Sequence, residues 1–168
     1  MLDSLNQQAN EMLNTLIHWS SISSGSYNTN GLKTMAQALI EAFSPLTTDW
    51  ERIPLNPTGK ELLLFRKKRA GFPSVLLGGH YDTVFKENST FKTHLNKNQL
   101  IGPGVLDMKG GLVILLYALR CFENSPLSEK LGWEIFLNPD EEIGSVHSAP
   151  YLEKLAKQHN YGFRIHRC

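Results

Sequence analysis

Three short stretches put groups able to bind a cation or move a proton directly after apolar runs. In "SVLLGGHYDTV", His80 and Asp82 stand two residues apart. Alternate side chains of an extended chain share a face, so the imidazole can offer one nitrogen to a metal while Asp82 accepts the proton on the other. Taken alone, this pair reads more simply as a satisfied structural contact. In "LIGPGVLDMKGGLVILL", Asp107 follows a glycine-proline turn and precedes Gly110, Gly111 and an apolar run. Its simplest role is a helix cap or first-turn acid. The glycines also let backbone pack closely beside whatever Asp107 holds, and one carboxylate can bridge two cations as in two-metal hydrolases. In "LNPDEEIGS", Asp140, Glu141 and Glu142 stand side by side before Gly144. Adjacent acids repel, and a carboxylate near apolar surroundings is costly unless hydrogen-bonded, paired or metal-bound. Glu141 and Glu142 leave the backbone in different directions. One can ligate a metal while the other takes a proton from water acidified by the cation and hands it to a leaving amine. The alternative is an exposed acidic turn.

These groups need a frame. Leu2, Leu5, Ala9, Met12, Leu13, Leu16 and Ile17 recur at helical spacing, which predicts an amphipathic first helix broken by "SSGSYNTNG". A second helix is expected over 32–43, stopped by Ser44 and Pro45. Strand-like runs follow at 50–54, "ELLLF", "SVLLGG" and "WEIFLN", with the helical "GGLVILLYALRCF" between the last two. After Gly144 a further helix is expected over about 148–158, with Pro150 in its first turn. The β-α-β order predicts an α/β sheet, whose ligands favour the crevice at the carboxyl ends of strands.

The 168 residues suit one domain, and 41% hydrophobic with 20% charged residues is ordinary globular composition. With 17 basic and 16 acidic residues the net charge is +1, so no broad electrostatic footprint exists for nucleic acid or an anionic membrane. The run Arg66, Lys67, Lys68, Arg69 reads as a solvated hairpin turn. Cys121 and Cys168 build neither a disulfide framework nor a thiolate site. No signal peptide or membrane-length apolar run is seen, so a cytoplasmic protein is expected. His18, His94, His147 and His159 read as surface or structural residues, and Trp19, Trp50 and Trp133 as core.

Together, "GGHYDTVF", "GPGVLDMKGG" and "NPDEEIGS", in this order, resemble the signature of the dinuclear zinc metallopeptidases and deacylases that include acetylornithine deacetylase, succinyl-diaminopimelate desuccinylase and carboxypeptidase G. The wording is nearest the carboxypeptidase G-like branch, and the resemblance runs from the first helix to about His159. It implies a three-layer α/β sandwich with a mixed, mostly parallel sheet, here an incomplete catalytic domain: 1–160 as its N-terminal part and 161–168 as a divergent tail. It implies His80 as a ligand of one zinc, Asp107 as the bridge, Glu142 as a ligand of the other, Glu141 as general base and Asp82 as the residue orienting His80. Two zinc ions are the implied cofactors, with cobalt as a substitute. The implied substrate is a small peptide or N-acyl amino acid, without nucleic acid or membrane partners.

The pattern then departs from the family. Members continue through a strand carrying an acidic zinc ligand before a proline, a lid and dimerisation domain that makes homodimers, and a final histidine ligand. Here no acidic residue follows Glu153, and His166 reads as an exposed terminal histidine. Each zinc keeps two of three implied protein ligands, so weak zinc binding and little or no hydrolysis are expected. The chain end reads as a truncated or frame-shifted reading frame, with an exposed sheet edge prone to association. The alternative is a non-catalytic fragment or pseudoenzyme that binds a metal or a partner.

Overall fold

A computed structural model describes residues 2–87 and 89–164. Helices α1 (Leu2–Gln7) and α2 (Ala9–Ser21) form the opening segment, and α3 (Thr29–Phe43) follows. α3 begins three residues before its first periodic leucine because Asn28 caps it, its side-chain oxygen accepting from the Gly31 N–H at 2.9 Å. Strands β1 (Asp49–Leu55), β2 (Lys60–Lys67) and β3 (Ser74–His80) come next, then a short hairpin of β4 (His94–Asn96) and β5 (Gln99–Ile101). Helix α4 (Lys109–Glu123), strand β6 (Gly132–Asn138), helix α5 (Ala149–Ala156) and strand β7 (Tyr161–Arg164) follow. The expected helices and strands are all present; the hairpin and β7 are additions.

The main sheet runs β1-β2-β6-β3-β7. It is mixed, as expected, but not mostly parallel: β3 is parallel to both β6 and β7, while β2 is antiparallel to β1 and β6, so the two kinds of pairing are equal in number. Period-two alternation sorts the apolar runs onto two faces. Leu63, Phe65, Val75, Trp133, Ile135 and Leu137 join the core formed with α2, α3 and α4. Leu62, Leu64, Leu76 and Phe136 face the other way and pack with Leu155 of α5. Helices, sheet and helix therefore make three layers. Burial on both faces explains why β2, β3 and β6 read as continuous apolar runs rather than alternating ones.

Two expectations need adjustment. The basic run is not a hairpin turn, because β6 lies between β2 and β3. Three of its four residues are also tied down: Arg66 pairs with Glu134 at 2.7 Å and with Glu51, Lys67 with Glu123, and the Arg69 Nε donates to the Ser128 carbonyl at 2.9 Å. Trp19 and Trp133 are buried, but Trp50, on the outer strand β1, is 39% exposed and rests a tilted ring against Phe65. The segment read as a divergent tail opens with β7, whose four residues are exposed on the opposite edge of the sheet. His166 and Cys168 lie outside the described residues. Among the described residues, no helix is long and apolar enough to cross a membrane.

Candidate metal centre

The three polar stretches meet where β3 and β6 end. These strands run parallel with His80 opposite Asn138, and the Tyr81 N–H extends the ladder by donating to the Asn138 carbonyl at 3.0 Å. Both loops therefore leave the sheet side by side. β3 stops at His80, yet Asp82 still reaches back to it: the ring Nδ1 lies 3.2 Å from Asp82 Oδ1 and 3.1 Å from the Asp82 carbonyl. This fixes the Nδ1 proton on the Asp82 side and presents Nε2 to the site. Nε2 stands 3.2 Å from Asp107 Oδ1 and 3.8 Å from Glu141 Oε2.

Asp82 does more than orient the ring. It is fully buried, and its oxygens also accept from the backbone N–H groups of Glu141 and Glu142, each at 3.1 Å, and from the Ser26 hydroxyl at 2.7 Å. One carboxylate thus joins the first and third stretches.

Asp107 precedes α4 by two residues. The capping position falls on Met108, whose side chain makes no capping bond, so the simple cap reading does not describe Asp107. Its turn is held by close packing: a Cβ on Gly110 would lie 2.4 Å from the Val105 carbonyl oxygen. The buried Lys109 anchors the same turn, donating to the carbonyls of Trp19 at 3.0 Å and Ile22 at 2.8 Å, near the end of α2. Burial lowers its pKa to about 7.

Glu141 and Glu142 lie in a single tight turn, Glu141–Ile143, which Gly144 ends in the left-handed region at φ 89°. Burial, opposed by His80 and reinforced by Asp107, Asp82 and Glu141, raises the Glu142 pKa above its ordinary value. For His80, burial disfavours the charged ring, but Asp82, Glu141 and Asp107 outweigh it and raise its pKa. The electrostatic picture is one imidazole among carboxylates.

Asp140, given no metal role by the resemblance, organises the loop. It is fully buried and accepts from the His147 N–H at 2.9 Å, the Ser148 N–H at 3.3 Å and the Ser148 hydroxyl at 2.5 Å. The run of three acids therefore splits into one buried fastener and two residues whose backbone N–H groups are held by Asp82. Ser26 and Ser148 escaped notice in the sequence because each lies in a serine-containing stretch with no spacing to mark it.

The donor set fits a divalent cation in kind, with one oriented imidazole nitrogen facing carboxylate oxygens. It is short in number: among the described residues no three His, Cys, Asp or Glu side chains gather round one point suited to an ion. His80 and Asp107 are the close pair.

Comparison with known proteins bears on the whole chain. Carboxypeptidase G2 of Pseudomonas sp. (strain RS-16) is 29% identical over 96 residues, covering 56% of this chain and 23% of that protein. Human carnosine dipeptidase 1 superposes with a TM-score of 0.82 at 18% identity, over 96% of this chain and 39% of that one. The metallo-carboxypeptidase Sso-CP2 of Sulfolobus solfataricus gives 0.73 at 22%, over 92% and 37%. The di-peptidase Dug1p of Saccharomyces cerevisiae gives 0.78 at 17%, over 92% and 37%. The chain thus spans about a quarter of the curated relative (23%) and about two fifths of these solved structures (37 to 39%). The structural likenesses establish the fold, and residues 76–167, more than half of the chain, match the sequence pattern of a single hydrolase family. This chain belongs to peptidase family M20/M25/M40.

Proposed function

We propose that the chain carries the metal-binding and proton-transfer residues of a zinc-dependent hydrolase that cleaves peptide or N-acyl amino acid amide bonds, in the manner of the carboxypeptidase G-like branch. The observation that carries this reading is the double duty of Asp82, which orients His80 and anchors both Glu141 and Glu142. In this reading His80, Asp107 and Glu142 would hold zinc, Asp107 being the ligand shared between two ions, and cobalt would serve as a spectroscopically visible substitute. When bound, the metal supplies Lewis acidity that polarises the scissile carbonyl and lowers the pKa of water. Glu141 would serve as the general base, its carboxylate taking a proton from water and returning it to the leaving nitrogen. Asp82 keeps the other ring proton on Nδ1, so that Nε2 offers its lone pair. A reducing, cytoplasmic setting accords with a buried free Cys121.

The shortfall in close donors favours a second reading, a metal- or partner-binding segment without turnover. Hydrolysis of N-acyl amino acids and dipeptides at saturating zinc, measured beside zinc uptake, separates the two. The first reading expects slow, zinc-dependent turnover that Glu141→Gln abolishes at unchanged zinc uptake, and that His80→Ala loses together with the metal. Turnover surviving in Glu141→Gln overturns the role given to Glu141. Zinc uptake without turnover selects the second reading.

A further inference from the structure

The outermost strand brings a cation to the site that the proposed chemistry does not use. Arg164 ends β7 and pairs in register with Gly78 of β3, two residues before His80. Its guanidinium donates to Glu141 Oε1, while Glu141 Oε2 stands 3.8 Å from His80 Nε2. One carboxylate therefore connects Arg164 to the ring that faces Asp107. Lys109, a buried cation two residues after Asp107, points elsewhere, since its Nζ is committed to the carbonyls of Trp19 and Ile22. The Arg164 side chain is 57% exposed and Glu141 21% exposed, so this ion pair is only partly withdrawn from water and can open at modest cost.

We infer that Arg164 competes with a divalent cation for the carboxylates around His80, and so sets the metal affinity of the chain. This rests on the metal-centre reading above. A guanidinium held against Glu141 repels a second cation drawn to the same cluster. It also takes lone pairs of Glu141 that would otherwise accept a proton from water. Because the arginine sits on an exposed edge strand, it has open solvent to move into when a cation outcompetes it. β7 thus acts as a strap whose counter-ion must be displaced before the site is fully charged.

The test is zinc affinity of the 168-residue chain, measured by competition with a chromophoric chelator, with far-UV circular dichroism confirming that each variant is folded. Arg164→Gln is expected to bind zinc about tenfold more tightly, the scale of one close, solvent-screened charge. Arg164→Lys, which keeps the charge, should stay much nearer the wild type. The gain should shrink at high ionic strength. It should also shrink in a Glu141→Gln background, where the guanidinium loses its anchor. An unchanged or weaker affinity in Arg164→Gln overturns the inference, as does a gain undiminished by Glu141→Gln, which would assign the effect to general surface charge. His80→Ala and Asp107→Asn separate the two levels. If both weaken zinc binding while Arg164→Gln matches the wild type, only the role of Arg164 falls; if neither does, the metal centre falls with it.

Discussion

Two fully buried aspartates, Asp82 and Asp140, differ in what their partners can tolerate, and isosteric replacement by asparagine should expose the difference. At Asp82 each oxygen accepts from a rigid backbone donor: Oδ1 from the Glu141 N–H and Oδ2 from the Glu142 N–H, with the His80 ring on the first and the Ser26 hydroxyl on the second. An amide has one oxygen, so either orientation turns an NH2 group against a backbone N–H. One buried donor is left unsatisfied, at about 1–3 kcal/mol, and the surviving bonds lose charge assistance, about 1 kcal/mol each. Relief of repulsion among the neighbouring carboxylates returns roughly 1 kcal/mol. Asp82→Asn should therefore cost about 3 kcal/mol. At Asp140 both rigid donors, the His147 and Ser148 N–H groups, lie on Oδ2, whereas Oδ1 meets the Ser148 hydroxyl and, at 3.4 Å, the Asn138 amide. The hydroxyl can rotate to accept from the new amide, so Asp140→Asn should cost only about 1 kcal/mol. Urea unfolding followed by far-UV circular dichroism reads the gap of about 2 kcal/mol as roughly 1 M in midpoint at an ordinary slope. Equal losses, or a larger loss at Asp140, would refute the donor accounting.

Other substitutions test the turn that carries Asp107 and the pH response of the sheet end. Gly110→Ala places a methyl 2.4 Å from the Val105 carbonyl oxygen, so the turn must shift; about 1–3 kcal/mol of stability and much of the zinc affinity should go together, and unchanged affinity would detach Asp107 from the metal. Burial, reinforced by the neighbouring Glu61, Asp82 and Asp140, holds the Tyr81 phenol well above the ordinary value of 10.0. Above about pH 10 an unfolded tyrosine ionises while the folded one does not, so the unfolded state binds fewer protons and stability falls as pH rises further. Tyr81→Phe should flatten that alkaline decline while costing about 1 kcal/mol near neutrality for the lost bond to the Glu61 carbonyl; urea midpoints at rising pH check both, and an unaltered decline would remove Tyr81 from the account.

Much of the frame was legible because burial on both faces leaves a plain signal: "ELLLF", "SVLLGG" and "WEIFLN" are all inner strands. The convergence of His80, Asp82, Asp107 and Glu141 was also legible, since each lies within a few residues of where an apolar run meets a turn. What stayed hidden depends on long-range contacts. β7 is short, exposed and contains a glycine, so it carries no apolar periodicity and becomes a strand only by pairing with β3. The β4–β5 hairpin turns through Lys97 at φ 53°, without the glycine that usually marks such a turn. The basic run looked solvated because its carboxylate partners, Glu51, Glu123 and Glu134, are distant in sequence. Asp140 was given no role by the sequence because its partners are mostly backbone N–H groups, which a sequence does not display.

The turn bearing Asp107 is located by its flanks rather than by the chain that leads to it. Met108 lies against β3 at Gly79 and accepts from the His80 N–H through its sulfur at 3.1 Å, and the Lys109 N–H closes onto the Gly104 carbonyl at 2.7 Å. The β4–β5 hairpin pairs only with itself, outside the main sheet. That hairpin is a free parameter of the fold: insertions or deletions there alter the path between the first and second stretches without altering where they meet. A change of length has an outlet at this point, while a single residue gained or lost between Asp107 and α4 would break the fit.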